Sequence, residues 1–168
     1  MKELLILRHA KSSWDSPTLD DHDRPLNKRG LRDAPRMGEL IREKGCVPDH
    51  VICSTAERTR QTVHYVCEGC KFGGDVEFLE TLYGTSTEAY IRIIRGVRDD
   101  VGRLMVVGHN PTLEDLVSEL SGEDHRFPTA ALAYFRVSIK HWKDLSRESE
   151  AELVDLWRPK DLWGKDES

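Results

Sequence analysis

The chain has 168 residues, enough for one sizeable core and short for two, with 38% hydrophobic and 33% charged residues, a balance that suits a globular protein. Its 30 acidic against 25 basic side chains give a formal charge of −5, which supplies no general attraction for nucleic acid or an anionic membrane, so neither is expected as a partner. No apolar run approaches the roughly 18 residues needed to cross a bilayer, and "MKELLILRHAKSSW" has too short an apolar core for a signal peptide; the cytoplasm is the expected location. In chain order, "KELLILR" (2–8) is an apolar run of the length of a buried strand. "NKRGLRDAPRMGELIREKG" (27–45) places Leu31, Met37, Leu40 and Ile41 at near-helical spacing and ends at Gly45, while Pro35 predicts a start or a kink nearby. "DHVICS" (49–54) is a second strand, running on into a helix at "AERTRQTVHYVCEG". "STEAYIRIIRGV" (86–97) is a helix capped by Ser86, with Tyr90, Ile93, Ile94 and Val97 on one face. "RLMVVGH" (103–109) is a third strand, followed by a helix in "NPTLEDLVSELSG" with Pro111 near its start and Gly122 past its end. "ALAYFRVSI" and "AELVDLW" are strands that close the sheet.

Strand and helix alternating in this way predict an α/β three-layer sandwich, a mainly parallel central sheet with helices on both faces. Four cysteines leave two readings open. Cys67 and Cys70 form a C-x-x-C, but Cys46 and Cys53 are spaced too far apart for a second zinc-binding pair, which favours reduced cysteines used in packing.

Ligands of open α/β sheets bind at the carboxyl ends of the strands. Arg8 and His9 follow the first strand, Ser54 and, one turn on, Arg58 follow the second, and Gly108, His109 and Asn110 follow the third. Two arginines and two histidines are thereby aimed at one rim. Such a cluster repels itself unless an anion sits in it, and guanidinium groups match phosphoryl oxygens as paired donors. Arg60, two residues from Arg58, should point elsewhere, because residues two apart do not share a helix face. His64 and His141 have no such neighbours and are assigned no function.

"LRHAKS", "STAERTRQT" and "VVGHNP", in this order, resemble the histidine phosphatase superfamily, which includes phosphoglycerate mutases and acid phosphatases. "RHAKSSW", "HDRPLNKRG", "GHNPTLE" and the late "PTAA" are similar to its small phosphohistidine phosphatases of the SixA type. The resemblance implies the phosphoglycerate mutase-like fold and a single histidine phosphatase domain over 1–163, while the polar end "GKDES" (164–168) is expected to be a disordered tail. It further implies that His9 is the nucleophile and passes through a phosphohistidine. Arg8, Arg58 and His109 would hold the phosphoryl oxygens, and the two arginines would keep His9 neutral. Neither a metal nor another cofactor is expected. Ala10 stands where many members have glycine.

The same resemblance offers Glu80 in "LETLYG" as general acid, because Asn110 occupies the position where other members carry an acidic residue. A solvated glutamate at a strand end is the competing reading. Ser12 is a candidate phosphate donor, and Lys11 a surface charge beside the mouth. The short stretch between Glu80 and His109 leaves no room for a long lid, which favours phosphohistidine on a protein as substrate. A phosphatase or mutase acting on a small phosphate ester, and a phosphoprotein-binding module without turnover, remain as alternatives. The sequence does not fix the oligomeric state.

Overall fold

Four successive apolar residues, Leu4 to Leu7, are all fully buried, and that requires a strand covered on both faces. In a computed structural model of the protein, which describes residues 1–164, they form the middle of β1 (Lys2–Arg8). Then come α1 (Lys28–Glu43), β2 (His50–Ser54), α2 (Glu57–Cys70), β3 (Val76–Leu79) and α3 (Thr87–Arg95). The chain continues through β4 (Arg103–Gly108), α4 (Thr112–Ser121), β5 (Leu132–Val137), β6 (Ala151–Trp157) and α5 (Pro159–Trp163). The six strands form one sheet in the order β3-β2-β4-β1-β5-β6. The first four of that order run parallel, β5 is antiparallel to both its neighbours β1 and β6, and β6 therefore runs in the direction of β1, so the sheet is mixed with a parallel majority.

Alternation along the strands divides the core in two. Leu4, Ile6, Leu104 and Val106 pack with α3 and α4 on one face. Leu5, Leu7, Met105 and Val107 pack with α1 and α2 on the other. The expected three-layer sandwich is therefore present. Register then fixes the site: Arg8 pairs with Gly108, Val107 with Cys53, and Ser54 with Leu79, so the parallel strands end side by side.

Several local expectations need correction. Pro35 does not start a helix; it lies inside α1, whose start is set by the Asn27 side chain accepting from the Gly30 N–H at 2.9 Å. Its missing donor is offset by tight packing of α1 on α2, where a Cβ on Gly38 would strike the Val66 carbonyl. Leu31 is 42% exposed rather than part of the buried stripe, which is carried by Ala34, Met37 and Ile41. On α3 the buried apolar residues are Tyr90, Ile91 and Ile94, with Ile93 half-buried, as is Val97 just past the helix end. The four-residue edge strand β3 has too little apolar pattern to be read beforehand. All four cysteines are free thiols; Cys46, Cys53 and Cys70 are buried. No helix among the described residues is long and apolar enough to cross a membrane. The tail expected at 164–168 lies, apart from Gly164, outside the described residues.

Candidate active site

At the carboxyl end of β1 the backbone of His9 is held from both sides. Its N–H donates to the Gly108 carbonyl at 3.1 Å, and its carbonyl accepts from the Ala130 N–H at 3.0 Å. Ala130, in the turn before β5, is in the left-handed region at φ 61°, an uncommon conformation for alanine that this hydrogen bond helps to fix. The next residue, Ala10, donates its N–H to Thr62 Oγ1 of α2 at 2.9 Å. Ala10 has no positive φ, so alanine fits this turn without strain. Gly108 is required for a different reason: a Cβ there would collide with the Tyr90 hydroxyl, which donates to the Leu82 carbonyl.

The His9 ring is fixed as well. Its Nδ1 lies 2.7 Å from the Ala10 carbonyl oxygen, which can only accept, so Nδ1 carries the proton and Nε2 keeps its lone pair. The ring is buried, and burial is the main reason its pKa falls to about 3; His109, Arg8 and Arg58 add to the fall, and the bond to Ala10 opposes it. His9 is thus neutral, as expected, with dehydration ahead of the arginines as the cause.

The ring of His109 lies 5.3 Å from that of His9. Its Nε2 is 2.8 Å from Ser54 Oγ, at the end of β2. Burial, followed by Arg58, lowers its pKa to about 4, so it too is neutral. The Ser54 hydroxyl also accepts from the Ala56 N–H at 3.4 Å and keeps a proton and a second lone pair, so it holds the His109 ring in either tautomer. The Nδ1 of His109 is buried and has no hydrogen-bond partner among the described residues, and the same holds for Arg8 Nε. Arg8 otherwise donates to the Phe127 carbonyl at 3.2 Å.

Arg58, the second residue of α2, is buried and donates to the Asp21 carbonyl at 2.7 Å and to Asp21 Oδ2 at 3.0 Å. Asp21 belongs to a single 3-10 turn (Asp21–Asp23) between β1 and α1. Its carboxylate also accepts from the Tyr83 hydroxyl at 2.6 Å and from Arg24 at 2.8 Å, which together with Arg58 hold it well below the usual carboxylate range. Tyr83 in turn lies edge-on to His109, with ring centroids 5.5 Å apart. Arg24, itself buried, donates to Ser12 Oγ at 2.5 Å and stacks on the exposed Trp14.

Arg8, His9, Arg58 and His109 therefore converge, as the strand-end argument predicts. Arg60 does not join them: it bonds the Thr55 carbonyl and covers the Phe78 ring. Ser12 is buried and engaged by Arg24 rather than by a member of the histidine pair. Glu80 stands at the end of β3, one strand beyond Ser54, exposed and without a side-chain hydrogen bond or ion pair among the described residues. The Asn110 amide donates to the Phe127 carbonyl at 2.7 Å and accepts from the Glu114 N–H at 3.2 Å, so it fastens the turn. Asp21, Arg24 and Tyr83 are the polar partners that strand-end reasoning does not single out, whereas Ser54, placed by it at the end of the second strand, is found against His109. "HDRPLNKRG" contains Arg24 and begins next to Asp21, but nothing in its spacing links it to α2. Among the described residues no three His, Cys, Asp or Glu side chains are grouped as ligands for a metal ion.

This arrangement of fold and site is that of a known family. The model of the histidine phosphatase superfamily (branch 1) matches residues 4–90, and the chain belongs to that superfamily. An uncharacterised protein of Mycobacterium tuberculosis is 37% identical over 150 residues, covering 83% of this chain and 91% of that protein. Among solved structures, one from Agrobacterium tumefaciens, provisionally described as phosphohistidine phosphatase SixA, superposes with a TM-score of 0.82 at 30% identity. It covers 94% of this chain and 98% of that one. A second, similarly described, from Nakamurella multipartitia has a TM-score of 0.81 at 29% identity, covering 94% and 96% of the two chains. The protein is thus a phosphatase by family, with SixA-like architecture.

Proposed function

We infer that the protein hydrolyses phosphohistidine on another protein, without a metal, through a covalent phosphohistidine at His9. The observation that carries this reading is the neutral His9 ring, with its proton on Nδ1 bound to Ala10 and its Nε2 free beside His109. Nε2 attacks phosphorus, the N–P bond forms, and the bond to the leaving group breaks with its electron pair. Arg8, Arg58 and His109 donate to the phosphoryl oxygens as charge redistributes. Water then attacks phosphorus, the bond to His9 breaks, and inorganic phosphate leaves with His9 neutral again.

The leaving group decides the substrate class. An alkoxide needs a proton as it departs, whereas an imidazole is a better leaving group once protonated. Asn110 cannot supply that proton, and its amide is occupied. Glu80, on the solvent-facing rim, is the remaining carboxyl in the family position and serves as acid only for the more demanding donors. Only one 3-10 turn, α3 and β4 lie between Glu80 and His109, which leaves the rim open to a side chain of a folded protein.

The test is kcat/KM for a phosphohistidine protein, a phosphoserine peptide and a three-carbon phosphate, on the unaltered protein and on Glu80→Gln. Phosphohistidine should be the best donor, and Glu80→Gln should slow the alkyl phosphates more. A three-carbon phosphate as best substrate would replace this reading with that of a metabolic phosphatase or mutase.

A further inference from the structure

A cavity of about 680 Å³ adjoins the phosphoryl site, sharing Arg8 and Asn110 with it. Its other cations come from three separate segments: Arg29 on α1, Arg126 in the loop before β5, and Arg158 and Lys160 where β6 passes into α5. Against them stand two carboxylates, Glu114 and Asp161. Glu114 is occupied by the Phe127 N–H at 2.9 Å, and Asp161 pairs with Arg158 at 3.6 Å. Arg29 is steadied by Asp33. Arg126 and Lys160 are exposed, and their side chains make no hydrogen bond or ion pair among the described residues. A chain of net charge −5 therefore keeps a local excess of positive charge beside its phosphoryl site. Asp115, Glu119 and Asp124 line a separate depression that also borders Arg126, which bounds the cationic surface on that side.

Such an excess is unfavourable to the isolated protein and favourable to an anionic partner that reaches Arg8 at the same time. We propose that this groove docks acidic side chains flanking the phosphorylated residue of the protein substrate, with Arg126 and Lys160 as the principal contacts. The proposal rests on the protein-substrate reading above. A protein segment is favoured over a second small anion because the cations are spread over three segments along a groove continuous with an unlidded rim.

The test uses two peptides differing only in the residues flanking the phosphorylated position, Asp and Glu in one and Asn and Gln in the other, each prepared with phosphohistidine and with phosphotyrosine. The readout is the ratio of kcat/KM, acidic over neutral, for each phosphoryl donor. At low salt the ratio should be roughly tenfold for whichever donor is turned over, and it should approach one as salt screens the groove. Arg126→Glu combined with Lys160→Glu should abolish it, and because both peptides share any general loss of attraction for phosphate, that loss cancels. A wild-type ratio within twofold of one, a ratio that survives the double variant, or equal inhibition of both peptides by tripolyphosphate with no acidic preference overturns the groove assignment. Phosphotyrosine turned over better than phosphohistidine overturns the substrate reading instead, and the ratio still reports on the groove.

Discussion

Asp21 accepts from Arg58 twice, through its backbone carbonyl at 2.7 Å and its carboxylate at 3.0 Å, so the orientation of a buried arginine on α2 is set by a residue from the loop after β1. The contact leaves the remaining guanidinium donors free for a ligand. The Tyr83 hydroxyl and Arg24 on the same carboxylate keep it ionised and in place.

Asp21 should accordingly act as a positioning residue. Asp21→Ala is expected to lower kcat/KM for an aryl phosphate about ten- to a hundredfold, the range for a displaced but intact catalytic group. Tyr83→Phe, which removes one of the three donors to that carboxylate, should give a smaller loss. Steady-state kinetics of both variants check this, and Asp21→Glu should recover part of the activity. A merely structural role would instead lower the unfolding midpoint and leave the kinetics of the folded fraction unchanged.

Arg58→Ala should cost about 3–4 kcal/mol of transition-state stabilisation, the range for removing a main donor to a developing oxyanion, or roughly 10²–10³ in rate. Arg60→Ala should stay within about twofold, because Arg60 bonds the Thr55 carbonyl and covers Phe78. Equal losses in kcat/KM at the two positions would contradict the placement of Arg58 at the phosphoryl group.

His9 and His109, with pKa values near 3 and 4, should remain neutral in the folded protein across pH 8 to 5, and their imidazole resonances should not titrate there. The linkage has a definite sign. Both folded values lie below the unfolded value near 6.5, so below that pH the unfolded chain takes up protons that the folded chain refuses. Stability is unaffected by these groups above about pH 6.5. It falls as pH drops toward the folded values, by on the order of 2 kcal/mol per histidine between pH 6.5 and 5. Urea unfolding at pH 7.5 and 5 measures the slope, and His9→Asn should flatten it.

What could be read from the sequence follows from how far each signal reaches along the chain. The run Leu4–Leu7 and the run Leu104–Val107 are buried on both faces and are recognisable as central strands by composition alone. Once they are strands, the residues following them must share one rim, which is why Arg8, His9 and His109 were legible. β3, with Glu77 on an exposed edge, carries no comparable run. Asp21 becomes the partner of Arg58 and Tyr83, and Arg24 that of Ser12, only through tertiary contacts, and none of these pairings has a local pattern. As the marker of a helix start Pro35 misled for the opposite reason, since a local preference was overridden by packing of α1 on α2.

The central claim is that Nε2 of His9 attacks phosphorus, and isolating the phosphorylated protein tests it most directly. The protein is mixed with a labelled aryl phosphate, quenched in alkaline denaturant within the first turnovers, and digested for mass spectrometry and analysis of the phosphohistidine isomer. Phosphate is predicted on Nε2 of His9, stable to alkali and labile to acid, and absent from His9→Ala. Phosphate on Nδ1, or on Ser12, Ser54 or any cysteine, would contradict the account.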